Sequence, residues 1–247
     1  MIQIQGVRKN LNGKKVLDGV DLEIPQGTSL VIMGPSGTGK SVLLKHIVGL
    51  FDPDEGDILV DGMSVPGADG DEIQEIRSKI SYVFQNAALF DSMTAAHNIQ
   101  LGLPAAHGRR VEALTDPAVI RAIGLVNLDE EVLSLLPAEL SGGMQKRVAI
   151  ARAIVGEQDY ILYDEPTTGL DPVNASVINR LIAAVSDGTG STSVIVTHDI
   201  ESAFFLGDRI VLLSEGRVQA SGTPDELKNS TDPVVQDFLH PKLEATT

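Results

Sequence analysis

The sequence predicts an α/β fold, and three observations predict it. Short, continuously apolar runs such as Ser29-Leu30-Val31-Ile32-Met33 and Tyr160-Ile161-Leu162-Tyr163 have the pattern of strands buried on both faces. Each is followed by a turn and then by a segment of helical periodicity. Between them, from about 92 to 157, the text is mostly helical, broken by Gly-Leu-Pro, Asp-Pro and Leu-Pro, with no convincing strand. A sheet protein with a helical insertion follows: a core over 1–91 and 158–231, a helical subdomain over 92–157, and a tail over 232–247.

The elements fall out in order. Ile2, Ile4 and Val7, then Val16, Leu17, Val20, Leu22 and Ile24, give strands within 1–33, with Pro25-Gln26-Gly27 as a turn. A helix follows the glycine-rich stretch after Met33, with Val42, Leu43, Ile47, Val48 and Leu50 on its apolar face. Ile58-Leu59-Val60 is a strand, 71–78 a helix, and Ile80 to Phe84 a strand. After Tyr160–Tyr163, Asp171 and Pro172 open a helix as cap and first residue. Ser193 to Thr197 is a strand, followed by a helix capped by Asp199. A hairpin turns at Glu215-Gly216, and Thr223-Pro224-Asp225-Glu226 has the capping-box pattern.

Composition narrows the function. The 247 residues carry a formal charge of −15, which disfavours nucleic acid, whose binding needs clustered Lys and Arg, and direct docking on anionic lipid. There is no cysteine, so disulfides and thiolate metal sites are excluded. No apolar run reaches the ~18 residues of a membrane span, and Met1-Ile2-Gln3-Ile4-Gln5 lacks the basic and apolar regions of a signal peptide; a cytoplasmic setting is expected. The charge is uneven. Residues 1–50 hold six basic and three acidic side chains, whereas 51–100 hold two basic and ten acidic.

The positive stretch contains Gly34-Pro35-Ser36-Gly37-Thr38-Gly39-Lys40-Ser41, the P-loop pattern of two glycines, lysine and hydroxyl at fixed spacing. Glycines let backbone N–H groups curl around phosphate oxygens, and the helix starting near Gly39 turns its unpaired N–H groups toward the anion. Lys40 adds a point charge for the β/γ-phosphates, and Ser41 an oxygen for Mg²⁺. Asp164 and Glu165 end a buried strand, at the edge where parallel sheets bind ligands. There Asp164 is placed to hold Mg²⁺ through water and Glu165 to polarise the attacking water. Leu140-Ser141-Gly142-Gly143-Met144 opens another helix and offers a second cradle of N–H groups.

Leu-Ser-Gly-Gly before a helix, about 100 residues after a P-loop and just before a strand ending Asp-Glu, resembles an ABC-transporter ATPase. Gln85 after a strand resembles that family's Q-loop, Gly169-Leu170-Asp171 its D-loop, and His198 after Ser193–Thr197 its switch histidine. The resemblance covers residues 1 to about 230 and implies an α/β P-loop NTPase core of ABC type, with a mixed sheet, an antiparallel β subdomain and a helical subdomain. It implies ATP and Mg²⁺ as cofactors. Gly34, Pro35, Ser36, Gly37, Thr38, Gly39, Lys40, Ser41 and Val42 would bind the nucleotide, together with Gln85, Ser141, Gly142, Gly143 and Asp171. Ser41, Gln85 and Asp164 would hold the metal; Glu165 would be the base and His198 would orient the γ-phosphate. Two departures stand out. Met144 replaces the usual glutamine, which follows as Gln145. Leu11 stands where an aromatic residue usually stacks on adenine, so base selectivity should be looser. The remaining histidines, His46, His97, His107 and His240, have no ligand-like spacing and read as structural or surface residues.

Family members dimerise with ATP between the P-loop of one chain and the signature loop of the other. A chain with no span of its own would drive a separate membrane permease from the inner face of the plasma membrane, and residues 86–94, with Leu89, Phe90 and Met93, would receive it. The acidic 51–100 segment suits a partner whose cytoplasmic loops are rich in Lys and Arg. Four stretches, 40–47, 88–94, 140–150 and 232–239, are similar to the ATPase of Mla-type (Mce-associated) phospholipid transport systems. That likeness implies lipid transport and, through the permease, an envelope lipid-binding protein. An importer ATPase for a polar solute such as an amino acid or anion is the alternative, and a non-transport ABC ATPase a remote one.

Overall fold

The computed structural model describes residues 1–104 and 112–240. His107, part of the 92–157 stretch and the end of the expected tail lie outside the described residues. Two compact units divide the chain, Met1–Asp69 with Ile195–Thr247 and Gly70–Val194. The described part of the helical stretch expected at 92–157 falls inside the second.

In the first unit, β1 (Ile2–Leu11) pairs antiparallel with β2 (Lys14–Ile24), from Ile2 opposite Ile24 to Leu11 opposite Lys14. On its other edge β1 pairs with β4 (Glu55–Val60), which pairs with β5 (Met63–Ser64), giving a four-stranded antiparallel sheet ordered β2-β1-β4-β5. Alternation fixes its buried face: Ile2, Ile4, Leu17, Val20, Ile24, Ile58 and Val60 are almost fully enclosed. β5 has only two residues, too short for a hydrophobic pattern to announce.

The same unit holds β3 (Ser29–Met33) and α1 (Lys40–Ile47). Parallel to β3 runs β9 (Arg209–Ser214), which turns at Glu215-Gly216 into antiparallel β10 (Arg217–Gly222). Both turn residues have positive φ, 51° and 74°, as a two-residue turn matching strand twist requires. α7 (Ile200–Leu206) packs on β3, and α8 (Pro224–Lys228) carries the expected capping box. Two expectations need correction. α1 ends at Ile47, so Leu50 lies beyond the helix and is exposed rather than on its apolar face. Part of the expected tail is a helix, α9 (Pro233–Leu239), started by the Asp232 side chain accepting from the Val234 N–H. His46 is fully buried, its Nδ1 2.6 Å from the Val42 carbonyl oxygen, and burial pushes its pKa down.

The second unit contains α2 (Gly70–Ser78), β6 (Ile80–Val83), α3 (Ala95–Gln100), α4 (Pro117–Leu125), α5 (Gly142–Ile154), β7 (Tyr160–Asp164), α6 (Pro172–Thr189) and the start of β8 (Thr192–Thr197). α3 and α4 both pack on α5, whose Val148, Ala149, Ile150 and Ala151 are fully enclosed. β6 and β7 run parallel, Ile80 beside Tyr160 and Val83 beside Tyr163. That register brings Gln85, two residues beyond β6, and the Asp164-Glu165 pair at the end of β7 to one carboxyl edge.

Candidate nucleotide site

The first unit supplies the phosphate loop. All of β3 after Ser29 is buried, so the chain leaves the sheet as a rigid strand and must turn at once. Gly34 is needed there because a Cβ would sit 2.0 Å from the Leu213 carbonyl oxygen of β9. Gly39, with φ of 99°, caps α1 in the left-handed region, and a Cβ there would come within 2.8 Å of the Val16 carbonyl oxygen. Lys40 is 4% exposed, and its ammonium donates to the carbonyl oxygens of Gly34 (2.8 Å) and Pro35 (2.9 Å). Thr38 Oγ1 donates to the Pro35 carbonyl oxygen at 2.9 Å. The loop is thus folded around its own cation. α1 begins at Lys40 with no side-chain cap, so the loop meets the N-terminal end of a helix, the end that favours an anion. Ser41 and Val42 are half-buried in its first turn.

His198, exposed, directly follows β8, and the next residue caps α7, Asp199 accepting from the Glu201 and Ser202 N–H groups. Leu11 lies at the turn end of the β1–β2 hairpin.

The second unit gathers the other expected residues. Asp164 is 5% exposed and accepts a hydrogen bond from Tyr82 Oη at 2.8 Å. Burial, and then the Asp164 charge, push the Tyr82 pKa far up, so its hydroxyl stays a donor. Glu165 is 8% exposed, adopts φ of 49° and accepts from Thr168 Oγ1 at 3.0 Å. A left-handed glutamate costs of order 1–3 kcal/mol, and such strain clusters at functional sites. Lys146, 7% exposed, donates to the Gln85 carbonyl oxygen. Burial pushes its pKa down, and the charges of Glu165 and Asp164 pull it back up.

Ser141 caps α5, accepting from the Met144 N–H at 3.3 Å. A Cβ on Gly143 would lie 3.2 Å from Asn174 Oδ1, and Asn174 Nδ2 donates to Asp171 Oδ2 at 2.5 Å. The signature glycines therefore lie against the start of α6, where Asp171 accepts from the Val173 and Asn174 N–H groups. Those hydrogen bonds, Asn174's first, hold its pKa down. Gln145 turns away, donating to the Pro137 carbonyl oxygen at 2.9 Å, so it does not take the place that Met144 leaves.

Sequence reasoning missed Tyr82, Thr168, Lys146 and Asn98. Tyr82 and Lys146 act on residues 82 and 61 positions away, beyond any local pattern. Fully buried Asn98 pins the 90–94 turn: its Oδ1 accepts the Phe90 N–H, and its Nδ2 faces the carbonyl oxygens of Phe90, Met93 and Thr94 at 3.0–3.2 Å. Phe90 is left 55% exposed at its tip.

Comparison with known proteins gives the geometry its family. The model of the ABC transporter family matches residues 17–168. The intermembrane phospholipid transport ATP-binding protein MlaF of Escherichia coli K12 is 34% identical, covering 97% of this chain and 88% of its own. A probable ribonucleotide transport ATP-binding protein, Mkl of Mycobacterium leprae, is 36% identical, covering 97% of this chain and 68% of its own. Among solved structures, the dimeric post-hydrolysis cassette MJ0796 bound to ADP and Pi superposes with a TM-score of 0.79 at 35% identity, covering 91% of this chain and 99% of that one. CbiO1 of Clostridium perfringens, part of the cbiONQ transporter complex, gives 0.81 at 29% identity over 97% and 95%. With the phosphate loop, the buried Asp-Glu pair and the signature helix in place, the chain belongs to the ABC-transporter ATP-binding family and is an ATPase.

Proposed function

We propose that the chain drives a membrane permease that moves phospholipid across a bacterial envelope. The observation that carries this reading is the likeness, over 97% of the chain, to proteins named for intermembrane phospholipid transport. In the proposed chemistry, Lys40 and the N–H groups of 34–41 hold the β/γ-phosphates of ATP. A water oxygen attacks the γ-phosphorus, the bond to the β-phosphate oxygen breaks, and ADP departs. Glu165 accepts the water's proton, and His198 donates to the γ-phosphate. Positioning and charge stabilisation, rather than covalent help, lower such a barrier. The side chains of Ser41, Gln85 and Asp164 offer only hard oxygen donors, which fits Mg²⁺. When bound, the ion would neutralise phosphate charge.

Two copies would sandwich ATP, each signature loop, Ser141 to Gly143, closing on the partner's nucleotide; the cassette MJ0796 is dimeric. The permease would dock on the exposed turn at Phe90. No helix among the described residues is long and apolar enough to cross a membrane, and we place the chain on the inner face through that partner. An envelope lipid-binding protein would complete the assembly. A second reading, transport of a polar solute, is favoured by the 36% identity to Mkl, named for ribonucleotide transport. Purifying the tagged chain from its own membranes and identifying the integral subunit separates the two. A permease accompanied by a lipid carrier is expected; a solute-binding protein would overturn the lipid reading.

Leu11 predicts the nucleotide preference. An aliphatic side chain forgoes the ~1–3 kcal/mol of a base–aromatic stack, so GTP turnover should come within about tenfold of ATP turnover. A stronger preference for ATP in a steady-state assay would show that the base is read elsewhere.

A further inference from the structure

The loop after β6 is held in an unfavourable shape. Ala87 and Ala88 have φ of 59° and 47°, two successive left-handed alanines, each opposed by Cβ sterics. Within the loop the Ala87 N–H donates to the Phe84 carbonyl oxygen at 3.0 Å and the Ala88 N–H to that of Asn86 at 2.6 Å. The carbonyl groups are held from outside by two cations of α5. Lys146 Nζ donates to the Gln85 oxygen, Arg152 Nη2 to that of Ala87 (2.7 Å) and Nη1 to that of Ala88 (2.8 Å). Burial pushes the Arg152 pKa down. Taking two cations from water to meet neutral carbonyl groups is costly, and the return here is a fixed loop.

We propose that Lys146 and Arg152 are positioning residues that clamp the Gln85–Ala88 loop to the signature helix, so that the loop and the Ser141–Gly143 cradle move as one piece during ATP hydrolysis. α5 begins at Gly142, so one helix presents the cradle at its start and grips the loop further along. The charges of Glu165 and Asp164 also act on Lys146, opposing the downward push of burial on its pKa. The inference rests on the roles proposed above for Gln85 and Glu165.

The absence of cysteine makes the test direct. Asn86, exposed in the loop, is replaced by cysteine in the full chain and labelled with a nitroxide. Lys146→Met and Arg152→Met should each sharpen the label's spectrum as the loop loosens. Each should lower kcat about tenfold with little change in KM for ATP, the signature of an interaction that matters in the transition state. Lys146→Arg should restore both the spectrum and most of the rate. Should Lys146→Met not fold, Lys146→Gln carries the same expectation. An unchanged spectrum with an unchanged kcat would overturn the clamp, as would a kcat loss that follows a fall in Tm and is not rescued by arginine. Glu165→Gln in the same assay judges the underlying reading separately: if it turns over normally the assigned base is wrong, while the label still reports whether the cations order the loop.

Discussion

Glu165→Gln should lower steady-state ATP hydrolysis by ~10²–10⁴, the range that general-base catalysis contributes, while ATP binding stays close to wild type. The side chain is 8% exposed and accepts from Thr168 Oγ1. An amide of the same shape keeps that hydrogen bond through its own oxygen and keeps the packing. What it loses is the ability to take a proton from water. It also removes a negative charge that would oppose a polyphosphate, so binding has no reason to weaken. The φ of 49° is as strained for glutamine as for glutamate, and stability should change little. Turnover and equilibrium nucleotide binding, measured on the same preparation with the Tm recorded, decide it. Near-normal turnover would remove Glu165 from the role of base; loss of binding together with turnover would assign it to the binding machinery.

Why Glu165 could be named from sequence, and its conformation could not, shows where sequence reading stops. The identity followed from a run of four apolar residues ending in two carboxylates, a pattern with a physical cause, since a strand buried on both faces must reach solvent at its end. The phosphate loop was legible for a similar reason: Gly34 and Gly39 stand where a Cβ would strike the carbonyl oxygens of Leu213 and Val16. Helix starts were legible wherever a short polar side chain precedes proline or a helical run, as at Asp171, Asp199 and Thr223. The same logic reaches Asp232, whose side chain accepts from the Val234 N–H ahead of Pro233 at the first helical position.

Left-handed conformations at non-glycine residues were not legible. Nothing about Ala87, Ala88 or Glu165 as residue types points to φ near 50°, and at Ala87 and Ala88 the carbonyl groups are held by a distant side chain rather than by a local preference. The partners share that property. Tyr82 on Asp164 and Arg152 on the loop carbonyl oxygens join residues more than sixty positions apart, and hydrophobic periodicity carries no information about which buried polar groups will meet. Motifs therefore named the residues proposed to face the nucleotide, and only the fold named the side chains that hold them.

Lys40→Met is the sharpest contrast with Glu165→Gln, because it should lose binding as well as turnover. The lysine stem is buried, and methionine, unbranched and adaptable, fills much of the same space. The two donations to the Gly34 and Pro35 carbonyl oxygens disappear. The Thr38–Pro35 hydrogen bond and the glycine conformations remain, so the loop should keep its course. A hydrogen bond involving a charged group contributes about 1.5–3 kcal/mol, so losing the one proposed to phosphate should raise the Kd for ATP roughly 10- to 150-fold. Turnover should fall further, by about 10²–10³ at saturating ATP, because negative charge shifts on the phosphate oxygens as the γ-phosphoryl group transfers, and a preorganised donor counts most there. Arginine is not a conservative test at this position. Its planar fork is larger than the ammonium around which the loop is folded, so Lys40→Arg should fail to restore either quantity. Nucleotide titration and single-turnover hydrolysis separate the two effects. If Lys40→Met bound ATP as wild type and lost only rate, the ammonium would serve the transition state alone, and the ground-state anion site would be the N–H groups of the loop and of α1.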